Sequence, residues 1–186
     1  DGAVRAVLDG YAAAAKANGA RDSRHRIEHI EVIHPDDIPR FASLGVIASM
    51  QPPHPPGTMG LPLEPTLSRI GKARWHLAYA WQTLREAGAR LAFATDWPVS
   101  PIDPIASIHA AVTPDQRQSL HDAVAAYTHD GAYAEFMEAE KGVLKPGYLA
   151  DVVILDGVMS ADAPDAIQSL KAAVTICDGR VSFTAP

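Results

Sequence analysis

Val4, Val7, Leu8, Tyr11 and Ala15 recur at the spacing of one helix face, and Gly19 follows as a helix stop, so residues 2–18 are predicted helical. The pattern then shortens. His25-Arg-Ile-Glu-His-Ile-Glu-Val-Ile33 reads as a strand at least as far as Ile30. His34-Pro35-Asp36-Asp37 opens a short helix with proline near its first turn, and Gly45 lies beyond its end. Val46–Met50 is the next strand. Trp75 to Ala87 places Leu77, Ala80, Trp81 and Leu84 at helical spacing and closes at Gly88. Arg90-Leu-Ala-Phe-Ala-Thr-Asp96 alternates again, with Leu91 and Phe93 on one face and Ala92, Ala94 and Asp96 on the other. Helices are predicted over 104–112, from a Thr113-Pro114-Asp115 cap to Tyr127, and over 131–140. Beyond Gly142 the texture is β: Asp151–Leu155, Ala172–Ile176 and Arg180–Phe183, with Asp178-Gly179 as a two-residue hairpin turn.

The order is one helix, three strand–helix units, extra helices and an all-β tail. Repeated strand–helix units imply parallel strands with helical crossovers, an α/β architecture. Residues 1–141 form one unit and 142–186 a smaller β unit. The stretch 51–66 holds six prolines and two glycines, which suits either a binding loop or a linker. With 47% hydrophobic and 20% charged residues, the chain has the balance of a soluble globular protein. Its net charge of −6 and scattered basic residues argue against a nucleic-acid or anionic-membrane surface. Cys177 is the sole cysteine, which fits a reducing, cytoplasmic setting. No apolar run approaches the ~20 residues of a membrane helix. The chain opens in mid-pattern at Asp1, so a longer parent protein is expected.

Asp96 falls at the C-terminal end of a strand, just before Pro98 and Pro101 break the ladder. In a parallel barrel that is where catalytic groups sit; the alternative is a plain turn former. His29 lies near the end of its own strand, sharing a face with Ile27. Two units apart, the two side chains would converge at one mouth of a barrel. Imidazole and carboxylate are ligands that suit zinc, although the spacing alone favours a core histidine hydrogen-bonded to backbone. Gln51 and His54 follow the second strand end. His76, His109 and His121 fall on predicted helices as surface or packing residues, and His129 lies at a helix junction. Glu28 faces away from His29, toward the helices, where a buried carboxylate needs a partner from Arg26 or from a neighbouring strand.

Three segments in order, Arg26-Ile-Glu-His29, Ala94-Thr-Asp-Trp-Pro98 and Gly142-Val-Leu-Lys-Pro-Gly-Tyr-Leu-Ala-Asp-Val-Val-Ile-Leu155, resemble the amidohydrolase superfamily. The resemblance is to the family 3 branch, which includes N-substituted formamide deformylase-like proteins. It implies a (β/α)8 TIM barrel, of which this chain supplies strands six to eight, and part of a small β-sandwich domain. It also implies a divalent metal, most naturally zinc, as one or two ions. His29 would be the strand-six ligand, and Asp96 the strand-eight ligand and general base. The substrate would be a small amide-type molecule whose C–N bond is hydrolysed, with Gln51 and His54 as contacts, and a homo-oligomer stays open. Asp1-Gly2 resembles the end of the family's His-Ala-Ile-Gly-Asp segment. The remaining ligands, including the His-x-His pair, are absent from the chain and are expected upstream. Tyr148 departs from the lysine common in relatives. The rival readings are a non-catalytic module with the same shell, and a related deaminase or lactone hydrolase.

Overall fold

Asp1 accepts a hydrogen bond from the Gly2 amide at 2.7 Å and caps helix α1 (Gly2–Asn18). Val4 and Leu8 are its buried positions and Tyr11 packs beside them, while Val7 faces outward. The computed structural model describes residues 1–113 and 117–186. Three parallel strands follow: β1 (Arg26–Glu28), β2 (Ile47–Met50) and β3 (Leu91–Phe93), in the order β1-β2-β3. Every residue of β2 and β3 is buried, as in a parallel sheet covered on both faces. Helix α2 (Ile38–Leu44) sets Phe41 into the core, and α4 (Trp81–Glu86) adds Trp81 and Leu84. Among the described residues β1 and β3 pair only with β2, so this sheet does not close into a barrel.

The helix expected over 75–87 is interrupted. Lys72–Leu77 is a 3-10 turn that follows the short α3 (Thr66–Ile70), and Tyr79 takes φ 50° before α4 begins. The cause is tertiary. Leu77 accepts from the Ile33 amide and Tyr79 donates to the Glu31 carbonyl, both at 3.1 Å, so these groups bond sideways instead of down a helix. The same pairing ends β1 early: His29 and Ile30 take φ 69° and 51°, and the strand expected through Ile30 stops at Glu28.

Helix α5 (Pro104–Val112) is capped by Asp103, and Thr113 ends it by donating to the His109 carbonyl. The next helix, α6 (Leu120–Tyr127), starts seven residues later than the expected cap, because Ser119 accepts the Asp122 amide. Pro114 and Asp115 of the expected cap lie outside the described residues. Helix α7 (His129–Ala134) stops short of residue 140. There the Arg24 guanidinium takes the Tyr133 carbonyl at 2.6 Å and lies over the Tyr133 and Phe136 rings, and Phe136 turns to φ 63°. Arg26 meets Glu28 at 2.8 Å as expected, but both side chains are exposed.

The tail is one antiparallel sheet, β4 (Val152–Leu155), β5 (Ala172–Cys177) and β6 (Arg180–Thr184), in that order. Asp178 and Gly179 both have positive φ, 48° and 73°, as a type I′ turn requires. Between β4 and β5, Ile167 enters the same core as Ile108, Ala111 and Val112 of α5. No helix among the described residues is long and apolar enough to cross a membrane.

The entry to α2 carries a testable charge cluster. The Asp37 carboxylate, 1% exposed, accepts Arg5 Nε at 2.9 Å and Arg40 Nη1 at 2.8 Å. Burial alone would raise its pKa, but the hydrogen bonds from Arg40 and Arg5 prevail and hold it below the ordinary carboxylate value. A depressed native pKa stabilises above the unfolded pKa and is lost as pH falls through the native one. Asp37→Asn should therefore cost about 1–3 kcal/mol at neutral pH, both arginines being partly exposed. Urea melts should show that difference flat above about pH 5 and shrinking below about pH 4.

Candidate metal centre

The three parallel strands finish at one edge. Glu28 pairs with Ser49, and Met50 with Phe93, so the next residues of each chain segment emerge together. His29 donates its amide to the Ser49 carbonyl at 2.8 Å, and Ala94 donates to Met50 at 3.1 Å. The ladder thus holds the backbone just past each strand. His29 and Asp96 then adopt left-handed φ, 69° and 57°, so strand alternation does not set the direction of either side chain. Asp96 also heads a turn, accepting the Val99 amide at 2.8 Å on its carbonyl. Its carboxylate is left free for the mouth.

His54 Nε2 lies 3.7 Å from Asp96 Oδ2, and His29 Nδ1 lies 4.0 Å from the same oxygen. The two imidazoles face each other nearly parallel, with centroids 5.7 Å apart. One donor atom from each of His29, His54 and Asp96 falls within 4.8 Å of the others. The separations from Asp96 exceed hydrogen-bond length, and the set is two nitrogens and one oxygen. His54 is buried, and its Nε2 has no hydrogen-bond partner among the described residues. An unmet buried nitrogen is costly, and a cation among these three donors would satisfy it. Burial pushes the His54 pKa down, Asp96 opposing and His29 reinforcing the shift, so the ring is held in the neutral form that can donate a lone pair. The donor set therefore fits a divalent cation.

Gln51, also buried, presents Oε1 to His29 Nδ1 at 3.0 Å. The bond holds the His29 ring by the same nitrogen that faces Asp96 at 4.0 Å, so Gln51 sets the orientation of that ring at the cluster. A cavity of about 280 Å³ opens on the cluster, and Glu31 and Tyr79 also line it. The Tyr79 hydroxyl is pushed up to about 12 by burial and by the Glu31 charge.

The structure brings together all four residues singled out in the sequence: His29, Gln51, His54 and Asp96. Glu31 and Tyr79 were not singled out, Glu31 because it read as part of a strand and Tyr79 because it read as part of a helix. One signal pointed to Glu31: it stands two residues after His29, the spacing of a shared strand face. His76 and His121 are exposed away from the cluster, and His129 lies 3.3 Å from its neighbour Asp130. His109 packs against α5's surroundings with Nε2 3.8 Å from Asp165.

Parallel strands whose ends gather histidines and an aspartate around a cavity define an α/β protein of the metal-site type. The chain belongs to the amidohydrolase family, which it matches over residues 1–183. It is 38% identical to Protein LONG AFTER FAR-RED 3 of Arabidopsis thaliana, over 80% of this chain and 27% of that protein. It is 26% identical to N-substituted formamide deformylase of Arthrobacter pascens, over 97% of this chain and 34% of that protein. A solved structure of an uncharacterized metal-dependent hydrolase from Pyrococcus furiosus superposes with a TM-score of 0.64 and 31% identity, covering 80% of this chain and 30% of that one. The chain thus spans about a third of the length of the relatives it matches.

Proposed function

We propose that this chain carries metal ligands and the general base of a metal-dependent amidohydrolase that cleaves an amide-type C–N bond in a small molecule. The observation that carries the reading is the convergence of His29, His54 and Asp96 at one strand edge, with His54 Nε2 buried and without a hydrogen-bond partner among the described residues. Residues 1–141 would supply barrel strands six to eight, and 142–186 part of a β-sandwich. His29, His54 and Asp96 would hold the ion, for which two imidazoles and a carboxylate favour zinc. When bound, such an ion polarises a carbonyl and makes water more acidic.

Asp96 is the base. Its carboxylate takes a proton from the attacking water as the C–O bond forms, and returns it to the nitrogen as the C–N bond breaks. The products are a carboxylic acid and an amine. Gln51, expected from the sequence to contact substrate, also bonds His29 through its oxygen and orients that ring. His54, also expected as a substrate contact, contributes the third donor.

The test is zinc titration and amide hydrolysis by the intact gene product. Chelation should abolish hydrolysis and zinc restore it; hydrolysis that persists without metal would overturn the reading. Gln51→Ala should weaken zinc binding by about 10–100-fold, the range seen when a group that orients a histidine ligand is removed. Unchanged zinc affinity in that variant would deny Gln51 its orienting role.

A further inference from the structure

Glu31 is an acid that the site has not used. It lines the same cavity as His29, His54 and Asp96, yet it stands outside the three-residue donor group. Its position is fixed by backbone. The Glu31 carbonyl accepts the Tyr79 amide at 3.1 Å, Val32 bridges to Ala78, and Ile30 on its other side is buried. Its side chain remains exposed, and among the described residues its carboxylate has no hydrogen-bond or ion-pair partner. Among the described residues no lysine or arginine lines the cavity. The charge of Glu31 is nevertheless felt there: it acts on both His54 and Tyr79.

Apart from Thr66 and Tyr79, the remaining wall is apolar. Pro56, Leu61, Pro62 and Val99 come from the proline-rich loop and from the turn after Asp96. A guest with its reacting group at the metal cluster would thus lay an apolar body against these four residues and meet an unpaired carboxylate. That arrangement repels an anionic substituent and rewards a cationic nitrogen.

We propose that Glu31 is a specificity residue, and that the cavity selects amide-type substrates whose apolar portion carries an ammonium or amidinium group. The substrate class rests on the hydrolase reading above; recognition of the cation by Glu31 does not. Two arms separate them. In the first, binding of benzylammonium and of uncharged benzyl alcohol to the metal-loaded intact gene product is measured by calorimetry. The wild type should prefer benzylammonium, and Glu31→Gln should reduce that preference by about fivefold, the worth of a partly exposed ion pair near 1 kcal/mol. Glu31 is exposed and glutamine has the same shape, so the variant keeps the fold, and an unchanged melting temperature verifies this. In the second arm, anilides with and without an ammonium substituent are compared by kcat/KM, with Glu31→Gln lowering the ratio of the charged to the uncharged member. Equal binding of the two probes, or a preference that Glu31→Gln leaves intact, overturns the inference even if amides are hydrolysed. A Glu31-dependent preference without any hydrolysis upholds cation recognition and removes the amidohydrolase reading instead.

Discussion

Asp96→Asn in the intact, metal-loaded protein is expected to lower kcat about 10²–10⁴-fold, the usual range for loss of a general base. The substitution is unusually clean at this position. The Asp96 carboxylate makes no hydrogen bond within the described residues, its nearest partners being the histidine nitrogens at 3.7 and 4.0 Å. The turn it heads uses its carbonyl, which asparagine retains. Asparagine also tolerates the left-handed φ of 57° as well as aspartate does, whereas most residues would be strained there. Fold and turn should therefore survive, and the loss should fall on proton transfer and on metal affinity. Zinc content measured beside kcat separates the two. A variant that holds metal and keeps most of its kcat would remove Asp96 from the role of base.

The positions of His29 and Asp96 were legible because each follows a short strand, Arg26–Glu28 and the apolar Leu91–Phe93. Their directions were not. Alternation along 90–96 places Asp96 with Ala92 and Ala94, but the strand ends at Phe93 and the side chain is aimed by a left-handed residue. Local pattern cannot specify that turn, because the ladder bonds that end the strand come from Met50. The break at Tyr79 has the same origin. Leu77, Ala80, Trp81 and Leu84 do sit at helical spacing, yet residues 77–79 are claimed by the segment after His29. The pairing that spoiled the helix prediction is also what holds Glu31 at the cavity, so one non-local contact hid both features. By contrast β2 and the Asp178-Gly179 hairpin follow from their own local pattern, and these matched closely.

The largest expected stability loss lies behind the site, at Trp81. It opens α4 with 1% of its surface exposed and meets Phe93 edge-on, the ring centroids 6.0 Å apart. Phe93 in turn meets Tyr127 of α6 at 5.8 Å. These rings fill the space between the sheet and two helices, so Trp81→Ala leaves a cavity that small shifts cannot close. The cost should be about 3–5 kcal/mol, a third or more of the stability of a typical domain. Trp81→Phe should cost far less. Trp81 Nε1 is buried with no hydrogen-bond partner among the described residues, so phenylalanine forfeits no bond and relieves an unmet donor while keeping an aromatic face toward Phe93. Urea midpoints of the two variants, read by tyrosine and remaining tryptophan fluorescence, should therefore be widely separated. Phe93 lies three residues before Asp96, so the alanine variant should also lose activity at temperatures below its melting transition as the end of β3 loosens. Equal midpoints for the alanine and phenylalanine variants would show that the indole position contributes little to packing, and that β3 is held by its ladder alone.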